Sequence, residues 1–164
     1  MSLEAQKAKQ IIIDEIKEKL DGAQAAVVID YMGITVAEAD AMRKTLREAN
    51  VDYTVYKNTL IKRAIEGTDF APLAEVLDGP SALAISTEDA TAPARTLNKI
   101  IKDFKKMEFK AGVVEGTYYD KAGIEAVAEI PSRDELIAKF MGSIQSPVSK
   151  FVRTLAAIAE EKEA

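Results

Sequence analysis

The spacing of apolar positions changes period several times along the chain, and each change marks an element. Ile12, Ile13, Ile16 and Leu20 recur at helical spacing within 3–20, and Asp21-Gly22 ends the pattern, predicting an amphipathic helix. Ala25–Asp30 (AAVVID) is a short apolar run of the kind that fills a central strand. Thr35-Val36-Ala37-Glu38 then has the spacing of a capping box and opens a helix reaching Ala49. Asp52–Tyr56 (DYTVY) is β-branched and aromatic, a second strand, after which Asn58 is placed to cap a helix that stops at Gly67. A short helix near Pro72–Leu77 and the turn Asp78-Gly79-Pro80 lead to a strand at 81–86, a helix at 90–104 and a strand at 107–114.

The core order is therefore βαββαβ. That order predicts an α+β fold, a split βαβ (ferredoxin-like) plait with small helices inserted between the second and third strands and its helices on one face of the sheet. Gly116–Asp120 reads as a turn, and 121–129 as a short helix. Beyond Pro131 the pattern becomes wholly helical, introduced by Ser132-Arg133-Asp134-Glu135 with capping-box spacing. Leu136, Ile137, Phe140, Met141 and Ile144 form one apolar stripe. After an expected interruption at Gln145-Ser146-Pro147, Val148, Phe151, Val152, Leu155 and Ile158 form a second. The organisation expected is a plait domain over 1–131 followed by an extended C-terminal helical segment over 132–164.

Composition narrows the function classes. With 48% hydrophobic and 30% charged residues in 164, the chain reads as a globular domain plus an appendage. No apolar run approaches the roughly 20 residues of a membrane span, and the opening MSLEAQKAKQIII lacks a secretory leader's cationic start. The expectation is a cytoplasmic protein with no membrane partner. Cysteine and histidine are both absent, which removes disulfides, thiolate chemistry and the commonest general base and metal ligand. No cofactor or metal is expected.

Charge is unevenly spread. Twenty-seven acids outnumber twenty-two bases, yet residues 43–63 hold six bases and only two acids. Lys57 and Asn58 stand where a strand gives way to a helix, so their side chains and the first free N–H groups face one place, a setting suited to phosphate. Thr59, Lys62 and Arg63 follow on that helix, while Arg43, Lys44 and Arg47 lie on the preceding one. The set is able to track a phosphate backbone, or it consists of ordinary solvated faces; charge alone leaves both open. An enzyme is the weaker alternative, since no G-x-G-x-x-G, P-loop or serine elbow is present and Asp14, Glu15 and Glu18 read as a solvated helix face. A plait that stacks bases on its sheet would have to rely on Tyr53 and Tyr56.

Several segments in order carry a family resemblance: AVVIDYMGITVAEADAMRKTLREANVDYTVYKNTLIKRA, the Gly79-Pro80 turn, KAGVVEG, and the tail SKFVRTLAAIAEEKEA. Over essentially the whole chain the sequence resembles the bacterial stalk-base family of the large ribosomal subunit, the family of large-subunit protein ten. The resemblance implies a non-enzymatic ribosomal protein whose N-terminal domain binds large-subunit ribosomal RNA beside large-subunit protein eleven. It implies a C-terminal helix that anchors dimers of the acidic stalk protein through Leu136, Ile137, Phe140, Met141, Ile144, Val148, Phe151, Val152, Leu155 and Ile158. Those dimers in turn recruit the translational GTPases. It also implies the family's capacity to repress translation of its own messenger. The family's loop pattern falls on Asp30-Tyr31-Met32-Gly33-Ile34-Thr35, with Met32 where the family has arginine, so Tyr31 stacks on a base instead or neighbouring cations bear more of the binding. Gly33 and Thr35 keep the pattern, although Gly33 also has a backbone reading, as a residue able to take positive φ. The family's basic-Asn-Thr-Leu pattern is intact at Lys57-Asn58-Thr59-Leu60, with Arg63 as the second cation.

Overall fold

The computed structural model describes residues 3–104 and 106–163. The chain divides into two compact units, residues 1–130 and 131–164.

The first unit is built on a five-stranded, wholly antiparallel sheet of β1 (Ala25–Asp30), β2 (Val51–Thr54), β3 (Ala82–Ser86), β4 (Glu108–Val114) and β5 (Thr117–Asp120), in the order β2-β3-β1-β4-β5. The first four strands have the order of a split βαβ plait. The fifth is a correction: Thr117–Asp120, expected within a turn, pairs with 111–114 of β4, so the turn is confined to Glu115-Gly116, both at positive φ. TYYD has strand-forming residues, but it follows Glu115-Gly116 directly and reads as part of that turn until its ladder with β4 is seen.

The helices are α1 (Leu3–Asp21), α2 (Val36–Glu48), α3 (Asn58–Ile65), α4 (Ala92–Phe104) and α5 (Lys121–Ala128), with a 3-10 helix at Ala71–Glu75. They cover both faces of the sheet rather than one. Alternation along β1 explains this: Ala25, Val27 and Ile29 join Met42 and Leu46 of α2, Leu97 and Ile100 of α4 and Ile124 of α5. Ala26 and Val28 face the other way, onto Ile13, Ile16 and Leu20 of α1, Leu60, Ile61, Ala64 and Ile65 of α3, and Leu73. The two crossover helices of the plait thus lie on one side, and the N-terminal and inserted helices lie on the other. Each fully buried Leu or Ile contributes roughly 1.5–3 kcal/mol, and removing either layer would bare one face of a fully buried central strand.

A β-bulge breaks the β1–β4 register between Val28 and Ile29. Val28 faces Ala111 and Ile29 faces Phe109, which leaves Lys110 as the extra residue. Its ammonium donates to the carbonyls of Asp78 and Pro80, the latter at 2.7 Å, and to the buried Ser81 hydroxyl at 3.1 Å, and lies 3.7 Å from the Asp30 carboxylate. One bulged lysine therefore joins the end of β1 to the turn before β3. Gly112, two residues on, lies under α5: a Cβ there would stand 2.6 Å from Ile124 Cδ1 and 3.2 Å from the Ala26 carbonyl oxygen.

The second unit is a single helix, α6 (Arg133–Glu163), begun by the Glu135 N–H donating to the Ser132 hydroxyl at 3.3 Å. The expected interruption at Gln145-Ser146-Pro147 does not occur, and Pro147 sits inside continuous helix. Proline gives up the hydrogen bond back to position 143 and crowds that carbonyl, a cost of about 3 kcal/mol, yet the helix of 31 residues runs through it.

Candidate nucleic-acid interface and helix face

The loop after β1 is set by local hydrogen bonds. Asp30 accepts the Met32 N–H at 2.9 Å, and Gly33 turns the chain at φ +84°, so the backbone reading of this glycine holds. Thr35 caps α2 in a complete capping box: its N–H donates to the Glu38 carboxylate at 2.7 Å and its hydroxyl accepts the Glu38 N–H at 3.4 Å. Lys106 adds two contacts to the same carboxylate, at 3.0 and 3.2 Å. The Thr35 N–H first, and Lys106 after it, hold Glu38 down at about 2.

The start of α3 differs from expectation. Lys57, not Asn58, occupies the cap position, with no side-chain cap. Asn58 stands in the first turn and donates its amide to the Gly79 carbonyl at 2.8 Å. Nearby, Tyr56 is engaged: its hydroxyl donates to Glu15 at 3.1 Å, and Lys19 lies over its ring at 5.9 Å from the centroid. The Lys19 ammonium also pairs with Asp52 at 2.8 Å, which is the main reason its pKa is raised. Tyr56 is thereby tied to α1 through its hydroxyl and Lys19.

These elements border three adjoining hollows on the β2 side of the sheet, at the end where β1 and β2 finish and β3 begins. The central one, about 440 Å³, is lined by the 31–36 loop, Ala39, Met42, Arg43, Tyr53 and Val55. A second, about 260 Å³, shares Arg43 and Tyr53 and adds Arg47 and residues 51–54. The third, about 360 Å³, shares Tyr31 and Val55 and adds 56–59 and the Gly79-Pro80-Ser81 turn. Tyr31, Gly33, Thr35, Arg43, Arg47, Lys57, Asn58 and Thr59 are thus brought into one furrow, whereas Lys44, Lys62 and Arg63 line none of the three hollows. Tyr53, Val55 and the 79–81 turn belong to the furrow too; their only sequence signal was a β-branched, aromatic strand and a turn. Burial, opposed in part by Arg43, pushes the Tyr53 phenol up to about 12.

The charges in this region are not equivalent. Arg43 meets Asp40 at 3.5 Å and Lys62 meets Asp78 at 3.6 Å, both exposed pairs of small energetic weight. Among the described residues, Lys44, Arg47, Lys57 and Arg63 have no acidic partner within 4 Å. The acids around the furrow, by contrast, are each engaged: Asp30 by Lys110, Glu38 by Lys106 and Asp52 by Lys19. No group of residues suited to a metal ion is present among the described residues, and none of their helices is long and apolar enough to cross a membrane.

On α6, Leu136, Ile137, Phe140, Met141, Ile144, Phe151, Val152, Leu155 and Ile158 are all exposed, between 44% and 67%; the Val148 side chain lies outside the described residues. Because the helix is continuous, the two stripes expected from the sequence are one. Positions 137, 141, 144, 148, 151, 155 and 158 alternate four and three residues apart through three heptads.

Fold and site together define a class: an α+β plait with a cationic furrow at one corner of the sheet, followed by a helix whose described apolar seam residues are exposed. The family model of ribosomal protein L10 matches residues 4–102, and that of the ribosomal protein uL10 C-terminal region matches 130–164. Large ribosomal subunit protein uL10 of Clostridium tetani is 46% identical over 94% of this chain and 90% of its own length. Its counterparts in Bacillus licheniformis and Bacillus cereus are 42% and 43% identical, each over 94% of this chain and 93% of their own length. The chain belongs to the bacterial ribosomal protein uL10 family. It is a structural component of the large ribosomal subunit, acts in translation as part of a cytoplasmic ribonucleoprotein, and is not an enzyme.

Proposed function

We propose that within the large subunit the first unit binds ribosomal RNA through the furrow, beside large-subunit protein eleven, and that α6 anchors dimers of the acidic stalk protein, which recruit the translational GTPases. The observation that carries the RNA half is that Arg47 and Lys57, which line the furrow, have no acidic partner within 4 Å among the described residues, in a chain that is acidic overall. An unpaired lysine or arginine releases counterions from a phosphate backbone without first giving up an internal ion pair. Helices α2 and α3 lie on opposite faces of the sheet, and Arg43 and Arg47 of the first and Lys57 before the second line adjoining hollows, so an RNA strand following those hollows would touch both.

The second half is supported by the apolar seam of α6. Leaving such a stripe in water is unfavourable by about 25 cal/mol for each Å², and an amphipathic helix of this kind is suited to receiving partner helices. At about 46 Å for 31 residues, α6 has room for on the order of two helical dimers, one along the 136–144 segment and one along 148–158.

Reconstitution tests both halves. Wild-type protein should bind large-subunit ribosomal RNA with a steep salt dependence, and should bind acidic stalk dimers without RNA, counted by native mass spectrometry. Deleting 132–164 should abolish dimer binding and leave RNA binding in place; retention of the full complement of dimers, or loss of the fold, refutes the anchoring role.

A further inference from the structure

Large apolar side chains exposed in the first unit are few among the described residues: Ile11, Met32, Val36, Val55, Tyr118 and Ile130. Three of these six, Met32 at 63%, Val36 at 80% and Val55 at 43%, line the same central hollow. Exposed apolar surface gathered at one concavity marks a place where something binds. Its walls include Tyr31 and Tyr53, and no carboxylate-bearing residue lines it. On one side it opens into the hollow of Arg43 and Arg47, and on the other into the hollow of Lys57.

We infer that this hollow receives one unstacked base of the RNA, with the phosphates on either side of that base directed to Arg43 and Arg47 at one end and to Lys57 at the other. The inference rests on the RNA-binding reading above and adds its mode of recognition. An apolar side chain from a neighbouring protein would also suit the walls, but it has no use for cations at both ends. A polyanion whose repeating unit carries a flat, weakly polar ring uses both features at once. Met32 fits this arrangement, because a thioether on an unbranched stem adapts to the face of a ring. Tyr53, half-buried with a phenol that stays protonated at neutral pH, keeps an O–H able to donate to a base edge. Arg43 and Tyr53 border both the base hollow and the hollow of Arg47, and Tyr31 and Val55 border both the base hollow and that of Lys57, so the strand has a continuous path.

The test uses the full chain and purified bacterial large-subunit ribosomal RNA across a series of salt concentrations. Met32→Ser and Val36→Ser alter exposed side chains and no charge. Each should lower affinity about tenfold, in the range for one apolar side chain no longer buried against the base, while the slope of log affinity against log salt stays at the wild-type value. Ultraviolet cross-linking of the wild-type complex, read by mass spectrometry, should place a nucleotide on Tyr31, Met32 or Tyr53. Wild-type affinity in both variants with cross-links confined elsewhere, while wild-type binding remains salt-dependent, overturns the base pocket and leaves the RNA-binding reading standing. Unchanged RNA affinity in Val36→Ser with weakened binding of a neighbouring ribosomal protein assigns the hollow to a protein side chain instead. Absence of salt-dependent binding by the wild-type chain overturns both readings.

Discussion

Asn58 donates its side-chain amide to the Gly79 carbonyl across 2.8 Å, joining the first turn of α3 to the turn that precedes β3, 21 residues later. The bond holds Lys57 and Thr59 against the Gly79-Pro80-Ser81 wall of the furrow. Asn58→Ala should cost on the order of 1 kcal/mol in urea unfolding, the net value of one such hydrogen bond. Unchanged stability would mean that water replaces the amide without loss.

Lys110 holds the same turn from below. Lys110→Met removes donors to three acceptors, one of them the buried Ser81 hydroxyl, and leaves Asp30 without its cation. A loss of about 2–3 kcal/mol is expected, because hydrogen bonds from charged donors are the stronger kind and their acceptors would be left unsatisfied. The measurement is the denaturation midpoint at unchanged m-value; a fall below 1 kcal/mol would show the turn to be held by its other contacts.

Paired and unpaired cations should differ in RNA binding. Arg47→Ala and Lys57→Ala should each reduce the salt slope by about one, whereas Lys62→Ala should reduce it by less, since Lys62 already has Asp78 as a counterion. Equal effects at all three positions would show that the Lys62 pair opens at no cost on binding.

Glu38 gives a pH signature. Its carboxyl titrates at about 2, below the ordinary value of 4.5, because the Thr35 N–H and Lys106 favour the charged form. The stabilisation this carries is therefore complete above about 4.5 and is lost as pH falls from there through about 2. Carboxyl titration by NMR should place the Glu38 midpoint well below the ordinary value of 4.5. In Lys106→Ala the midpoint should rise yet stay below the ordinary value, since the capping hydrogen bond, the larger cause, remains. A return all the way to the ordinary value would make the lysine the dominant cause instead.

For α6, Phe151→Asp combined with Leu155→Asp places two carboxylates in the C-terminal half of the seam. The expected outcome is loss of one acidic dimer in native mass spectrometry, with the dimer on the 136–144 segment kept. Loss of both would show that the continuous heptad acts as one cooperative surface, and loss of neither would place the partner elsewhere.

What could be read from the chain alone was whatever depends on neighbours a few residues apart. The capping box at Thr35 and Glu38 is an i, i+3 relation, the buried faces of α1 and α4 follow from 3.6-residue spacing, and the four plait strands announce themselves by apolar or β-branched runs. The cations at 43–63 and the apolar positions of α6 were legible for the same reason, as composition along a short stretch. What required the tertiary structure were the relations between distant segments. An amphipathic stripe states which residues are buried but not which face of the sheet covers them, so the placement of α1 and α3 opposite α2 and α4 was decided by packing. Thr117–Asp120 became a strand only by pairing with β4. Lys110 looked like an ordinary strand residue until a one-residue bulge turned it toward the 78–81 turn. The furrow itself joins residues from 31 to 81, and whether Lys62 beside it is free or paired depends on Asp78, sixteen residues on. Pro147 is the opposite case: its local signal predicted a break, and the helix runs through it, with turns on both sides that keep their own hydrogen bonds.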